Sequence, residues 1–288
     1  MLDPFARARH NRGAFEIGPR MPEPCVKSLE MARNIRADAL RMVSAVNASH
    51  AGSCLSAADI LAVLYSGLLR IRPAEPGWAK RDRFILSKGH AAAALYATLA
   101  HAGYFPVAEL LDYCRNGTLL TGHVAHGIPG VEFSTGSLGH GLSLGLGAAL
   151  AARIDATNSR SFVLLSDGEC DEGSIWEAAL FAGHHRVGNL VAMIDYNRIQ
   201  SFGRVEEVLE LEPFADKWRA MRWAVREVDG HDHAALAGAL VPDGEAPTVV
   251  ICRTIKGKGV SYMEDRLEWH YRSPNAEQLQ QALSEIFA

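Results

Sequence analysis

The sequence predicts an α/β protein with a mostly parallel sheet and helices on both faces. Two observations carry this: short apolar strand segments alternate with stretches of helical periodicity, and the residues just after the strands are unusually polar, as befits ligand-facing carboxyl ends of an open α/β sheet. Size agrees, since 288 residues with 48% hydrophobic and 22% charged side chains suffice for one large core or two modest ones.

The first two dozen residues are rich in Arg, Pro and Gly and end in MPEP at 21–24, which reads as a loose arm (1–24), able to cover a partner, ahead of one domain (25–288). From Lys27, apolar residues from Leu29 to Val46 recur at helical spacing and predict an amphipathic helix ending near Asn47. After the loop SHAGSCL, Ser56 with Asp59 three residues on reads as a capping-box-like start for the helix ADILAVLYSGLL. RFILSKGH reads as a short buried strand whose end delivers Ser87, Lys88, Gly89 and His90, followed by the small-residue helix AAAALYATLAHAGY. Gly136, Gly139, Gly141, Gly145 and Gly147 then fall at and inside a helix start. Glycine inside a helix costs roughly 1 kcal/mol against alanine, so close approach of a backbone or ligand is the expected compensation. The strand SFVLLSD, a helix from near Ser174, the strands LVAMIDYN and PTVVICRT, and the basic turn TIKGKGV complete the alternation. No internal repeat or low-complexity tract interrupts it.

Lys+Arg 29 against Asp+Glu 33 gives a net charge of −4, and the pI is about 6.3, so no general attraction to nucleic acid or anionic membranes is expected. Five cysteines without a C-x-x-C pair read as reduced thiols in a cytoplasm. No apolar run approaches the ~20 residues of a membrane span, and the start lacks the apolar core of a signal peptide.

The chemistry concentrates after two strands. SDGECDEGSIWEA and DYNRIQSFG put Asp167 and Asn197 at adjacent strand ends. A carboxylate, an amide oxygen and a nearby backbone carbonyl suit Mg²⁺ or Ca²⁺, with phosphate and water completing the shell. Either fragment alone reads as a turn or a cap; together they read as a metal-diphosphate site. A generic nucleotide-binding fold is disfavoured by the lack of G-x-G-x-x-G or a Walker-type G-x-x-x-x-G-K.

The stretch from Asp167 to Asn197 resembles the thiamine diphosphate motif, with Ser166 in place of its first glycine. DGE-x-x-EGS-x-WEA resembles the transketolase family in particular. The resemblance continues in SHAGS at 49–53, LSKGHA at 86–91, TGH at 121–123, TGSLGHG at 135–141, TIKGKG at 254–259 and WH at 269–270, across roughly residues 27 to 275. It implies the thiamine diphosphate-binding fold, with the metal held by Asp167, Asn197 and the carbonyl of Ile199. It implies further that the Gly168 amide, His90, Lys256 and His270 face the diphosphate, and that Ser53, Gly136 and Leu138 lie along the cofactor. His50, His123 and His270 are implied around the reacting carbon, and Glu172 as an interface glutamate coupling paired sites. Independently of the family, imidazoles in an apolar pocket can bind ketose hydroxyls and shuttle protons, and lysine with backbone N–H groups near a glycine turn neutralises phosphate. His101, His126, His184, His185, His231 and His233 read as structural or surface residues.

His140, Val124 and Tyr271 depart from the family pattern, which has glutamine, often proline, and glycine there; His140 and Tyr271 are expected to narrow or re-polarise the channel. The family's pyrimidine-binding domain, with its activating glutamate and substrate-phosphate grip, has no counterpart in this sequence. The resemblance therefore implies the diphosphate-binding subunit of a split, two-chain transketolase, α2β2, whose partner carries that domain. It would transfer a two-carbon ketol unit from a ketose, often phosphorylated, to an aldose. The alternatives are the α subunit of a 2-oxoacid dehydrogenase or decarboxylase, against which His50, His90, His123, WEA and KGKG argue, and a non-catalytic cofactor-binding protein, which leaves the histidines without a use.

Overall fold

The computed structural model describes residues 26–288; the expected arm at 1–24 lies outside the described residues. In chain order the elements are α1 (Val26–Ala45), α2 (Ala51–Val63), β1 (Arg83–Leu86), α3 (Ala92–His101), α4 (Gly141–Ile154), β2 (Ser161–Ser166), α5 (Gly173–His184) and β3 (Leu190–Tyr196). They continue with α6 (Val205–Val208), α7 (Phe214–Ala220), β4 (Ala224–Asp229), α8 (His233–Ala239), β5 (Thr248–Arg253) and α9 (Ala276–Phe287). Among the described residues, the strands form one sheet in the order β1-β2-β3-β5-β4, every pair parallel.

The near-continuous apolar runs of β2, β3 and β5 follow from burial on both faces. Phe162, Leu164, Val191, Met193, Val250 and Cys252 point into a core shared with α1, α2 and α3. The alternating residues Val163, Leu165, Ala192, Ile194, Val249 and Ile251 point into a second core with α4, α5 and α7. Strand β4 closes one edge with a half-exposed surface. Its residues AVREVD escape an apolar-run reading because an edge strand keeps polar side chains in water.

Two expectations need correction. The second helix does not begin at Ser56: α2 starts at Ala51, with His50 as its N-cap at φ 75°. Ser56 and Asp59 are buried inside the helix, and both reach across to other elements instead of capping their own, Ser56 Oγ donating to Asp195 Oδ2 at 2.6 Å. The helical glycines divide. A Cβ on Gly141 or Gly145 would fall 2.2 Å from Ser87 Oγ or Val163 Cγ2, so α4 lies directly against β1 and β2, whereas Gly147 faces open space. The stretch Ala51–Leu68 is long and apolar enough to cross a membrane by length and composition, yet 83% of it is buried inside the fold, as a core helix is.

Candidate functional site

Register brings the polar strand ends together: Ser166 of β2 pairs with Asp195 of β3, and Tyr196 with Arg253 of β5. Asp167, Asn197 and Lys256 therefore emerge side by side at the carboxyl edge. A cavity of about 240 Å³ opens there. Asp167, Gly168, Asn197 and Ile199 line one wall, Lys256 and His270 another, and Ser53, Gly136 and Leu138 lie along it with His50, His90 and His123. Glu172 lies elsewhere, exposed as the N-cap of α5 beside Gly139.

Four imidazoles cluster. The His50 ring centroid is 5.1 Å from His90, 5.8 Å from His123 and 5.1 Å from His270. The left-handed backbone at His50 is costly for a residue with a Cβ, and its N–H donates to the His270 carbonyl at 2.9 Å, tying the two histidine segments together. His123 needs a glycine opposite: a Cβ on Gly136, itself at φ 137°, would fall 2.6 Å from its Cδ2.

Burial first, then the charge of His123 and of Lys256 and Lys88, push His50 down to about 4. Burial and Lys256 push His270 down to about 3. His90 is held well below the usual range by burial and Lys88. Neutral imidazoles both donate and accept hydrogen bonds. Burial and Lys88 lower Lys256 to about 8, so it stays charged at neutral pH. Its ammonium donates to the Ile199 carbonyl at 2.9 Å and His270 Nδ1 at 3.0 Å. The His270 proton is consequently left on Nε2.

The oxygen set fits a hard divalent cation. Asp167 is 2% exposed and accepts backbone N–H groups from Gly168 at 2.7 Å and Arg198 at 2.5 Å. Burial and the neighbouring Asp195 push its carboxyl up to about 6 against those bonds and the Lys256 charge, so a cation placed beside it would favour the ionised form. Among the described residues no group of three or more His, Cys, Asp or Glu could hold a metal, which leaves the expected set of one carboxylate, one amide and one carbonyl dependent on phosphate and water oxygens.

Three buried residues support this site: Asp195 and Glu169, not singled out from sequence, and Lys88, expected only as a residue delivered by the end of the first strand. Lys88 pairs with Asp195, both wholly buried, and also donates to the Ser53 carbonyl at 3.1 Å; Asp195 further accepts from Ser56 and Thr254. Glu169 accepts from Ser87 and from the Gly139 N–H at 2.9 Å, joining the loop after β1 to the glycine segment before α4. The available signal was a charged residue within an apolar strand, Asp195 in MIDYN, which burial obliges to find a partner. Of the departures, Val124 uses the N–H that a proline would lack, donating to the Gly89 carbonyl at 3.3 Å. His140 is exposed as the N-cap of α4. Tyr271 is exposed too, its ring 4.8 Å from His270. Neither lines the cavity, so the channel-narrowing expectation reduces to Tyr271 touching His270.

Residues 27–286 match the family described as "Transketolase, thiamine diphosphate binding domain". The chain is 41% identical over 271 residues to a 6-deoxy-6-sulfo-D-fructose transketolase subunit of Clostridium sp. (strain MSTE9), covering 92% of this chain and 98% of that one. It is also 41% identical over 266 residues to an apulose-4-phosphate transketolase subunit of Phocaeicola vulgatus, covering 91% and 94%. A transketolase structure from Pichia stipitis superposes with a TM-score of 0.85 at 31% identity, covering 91% of this chain but 41% of that longer one. The chain belongs to the transketolase family, whose thiamine diphosphate binding domain it carries.

Proposed function

We propose that this chain is the diphosphate-binding subunit of a heteromeric transketolase, moving a two-carbon ketol unit from a ketose, often phosphorylated, to an aldose in a site shared with a separately encoded pyrimidine-binding chain. The observation that carries this reading is the placement of four imidazoles and the Asp167, Asn197 and Ile199 oxygens around one cavity. Nearly full-length coverage of relatives named as subunits supports the split arrangement. Exposed Leu180 and Phe181 on α5, the helix that Glu172 opens, and Phe202 at 83% exposure offer apolar surface for a partner. An α2β2 assembly, with Glu172 at its interface, follows from the same reading.

Asp167, Asn197 and the Ile199 carbonyl would hold Mg²⁺ or Ca²⁺; Lys256, His90, His270 and the Gly168 amide would meet the diphosphate; Ser53, Gly136 and Leu138 would flank the cofactor. Thiamine diphosphate, when bound, supplies the electron sink for carbon–carbon cleavage. His50, neutral at working pH, and His123 hydrogen-bond ketose hydroxyls, and an imidazole takes the hydroxyl proton as the adjacent C–C bond breaks. His270 presents its Nε2–H while Lys256 holds Nδ1. Among the described residues the cysteines Cys54, Cys114, Cys170 and Cys252 are free thiols, in keeping with a cytoplasmic setting.

The test mixes this chain with the product of a neighbouring gene that carries a pyrimidine-binding domain, in thiamine diphosphate and Mg²⁺, and compares ketose cleavage with 2-oxoacid decarboxylation. Ketol transfer is the expected activity; decarboxylation without ketol transfer would overturn the assignment.

A further inference from the structure

His231 and His233, read from sequence as structural, converge with Arg36 on one buried carboxylate, Asp59 of α2. Arg36 grips both its oxygens, at 3.0 and 2.5 Å. His233 Nε2 lies 3.0 Å from Oδ1, and His231 Nδ1 lies 2.6 Å from Oδ2. The network then reaches past the carboxylate. The backbone N–H of Ile255 donates to His231 Nε2 at 2.9 Å, and Arg36 Nε donates to the Lys258 carbonyl at 3.0 Å. Both flanks of the turn that bears Lys256 are thus fastened, from outside the cavity, to groups held by one anion.

Because a backbone N–H can only donate, His231 Nε2 must accept, and the imidazole proton sits on Nδ1 facing Asp59. Between the two fastenings Lys256 is 1% exposed and points at Ile199 and His270. Gly257 N–H closes the turn onto α2 by donating to the Gly52 carbonyl at 3.0 Å. A lysine ammonium is a point charge on a flexible stem, so its value to a phosphate depends on what holds its backbone. We propose that His231, oriented by Asp59 and Arg36, is a positioning residue that holds the 255–258 turn so that Lys256 meets the cofactor diphosphate. This rests on the reading of the cavity as a thiamine diphosphate site. His231 does not line that cavity, so it acts only through the turn.

The test titrates thiamine diphosphate with Mg²⁺ calorimetrically into the full chain and into its His231→Asn, His231→Gln, Lys256→Ala and His231→Asn/Lys256→Ala variants. Glutamine sets an oxygen near the place of Nε2 and keeps an acceptor for Ile255, whereas asparagine keeps only the contact near Nδ1. Expected are about tenfold weaker binding for His231→Asn, affinity within about twofold of wild type for His231→Gln, and little further loss from His231→Asn once Lys256 is alanine. Wild-type affinity in His231→Asn, equal losses for Asn and Gln, or losses that add in full with Lys256→Ala would overturn the proposal. A lowered melting temperature with unchanged affinity would do so as well, by marking a purely structural role. No binding by the wild-type chain would instead refute the cofactor reading on which the proposal stands.

Discussion

Asp167 and Asp195 stand at the ends of neighbouring strands, both buried, yet their surroundings push them in opposite directions. Burial pushes the Asp195 carboxyl up, but the Lys88 charge and hydrogen bonds from Lys88, Ser56 and Thr254 outweigh it and hold the group below its ordinary range. Among the described residues Asp167 accepts hydrogen bonds only from backbone donors, and burial with Asp195 raises it to about 6. A carboxylate that keeps the fold together brings its own cation; one that serves a ligand leaves its charge to be balanced from outside. Asp59, bound to Arg36 and two histidines, repeats the first case at the back of the site.

The contrast breaks most visibly at Lys88. Lys88→Met leaves Asp195 buried without its cation and should lower the stability of the ligand-free chain by about 3–5 kcal/mol in equilibrium denaturation; a loss under about 1 kcal/mol would place the pair among the unimportant ones. The acid limb comes next. Asp59 is held well below the ordinary carboxylate range because Arg36 and the two histidine bonds outweigh its burial. Its contribution is therefore present above the unfolded value of roughly 4 and lost as pH falls toward the depressed folded value. Wild-type stability should drop between about pH 5 and 2 more steeply than that of Asp59→Asn; parallel pH profiles would contradict this.

On the ligand side, Asp167→Asn should leave the ligand-free melting temperature unchanged or raised, because it removes a poorly compensated buried charge, while weakening Mg²⁺-dependent thiamine diphosphate binding at least ~10-fold. Undiminished metal dependence would remove Asp167 from the metal site. The smallest effect is expected at Tyr271→Gly, an exposed change that should keep stability within about 0.5 kcal/mol and cofactor affinity near wild type while altering the ratio of rates between competing aldose acceptors. An unchanged ratio would mean that the ring beside His270 plays no part in selection.

Most of the candidate site was legible because the residues lining the cavity travel in short contiguous segments, SHAGS, LSKGH, DGE, DYN and TIKGKG, each at a strand end, a turn or the start of a helix. What could not be read are the partners that fold across the chain. Lys88 finds Asp195 from 107 residues away and Asp59 finds His231 from 172, and nothing local in either segment names its counterpart. The start of α2 was misplaced for the same reason: Ser56 and Asp59 have the spacing of a cap, but their side chains are committed to other elements, and the helix is opened by His50 in a conformation that local propensity disfavours.

The division of labour between two chains is the central claim, and reconstitution tests it most directly. The purified chain with thiamine diphosphate and Mg²⁺ should bind cofactor yet show no ketol transfer, and titration with the pyrimidine-binding chain should raise activity to a plateau at one partner per chain; full activity from this chain alone would contradict the account.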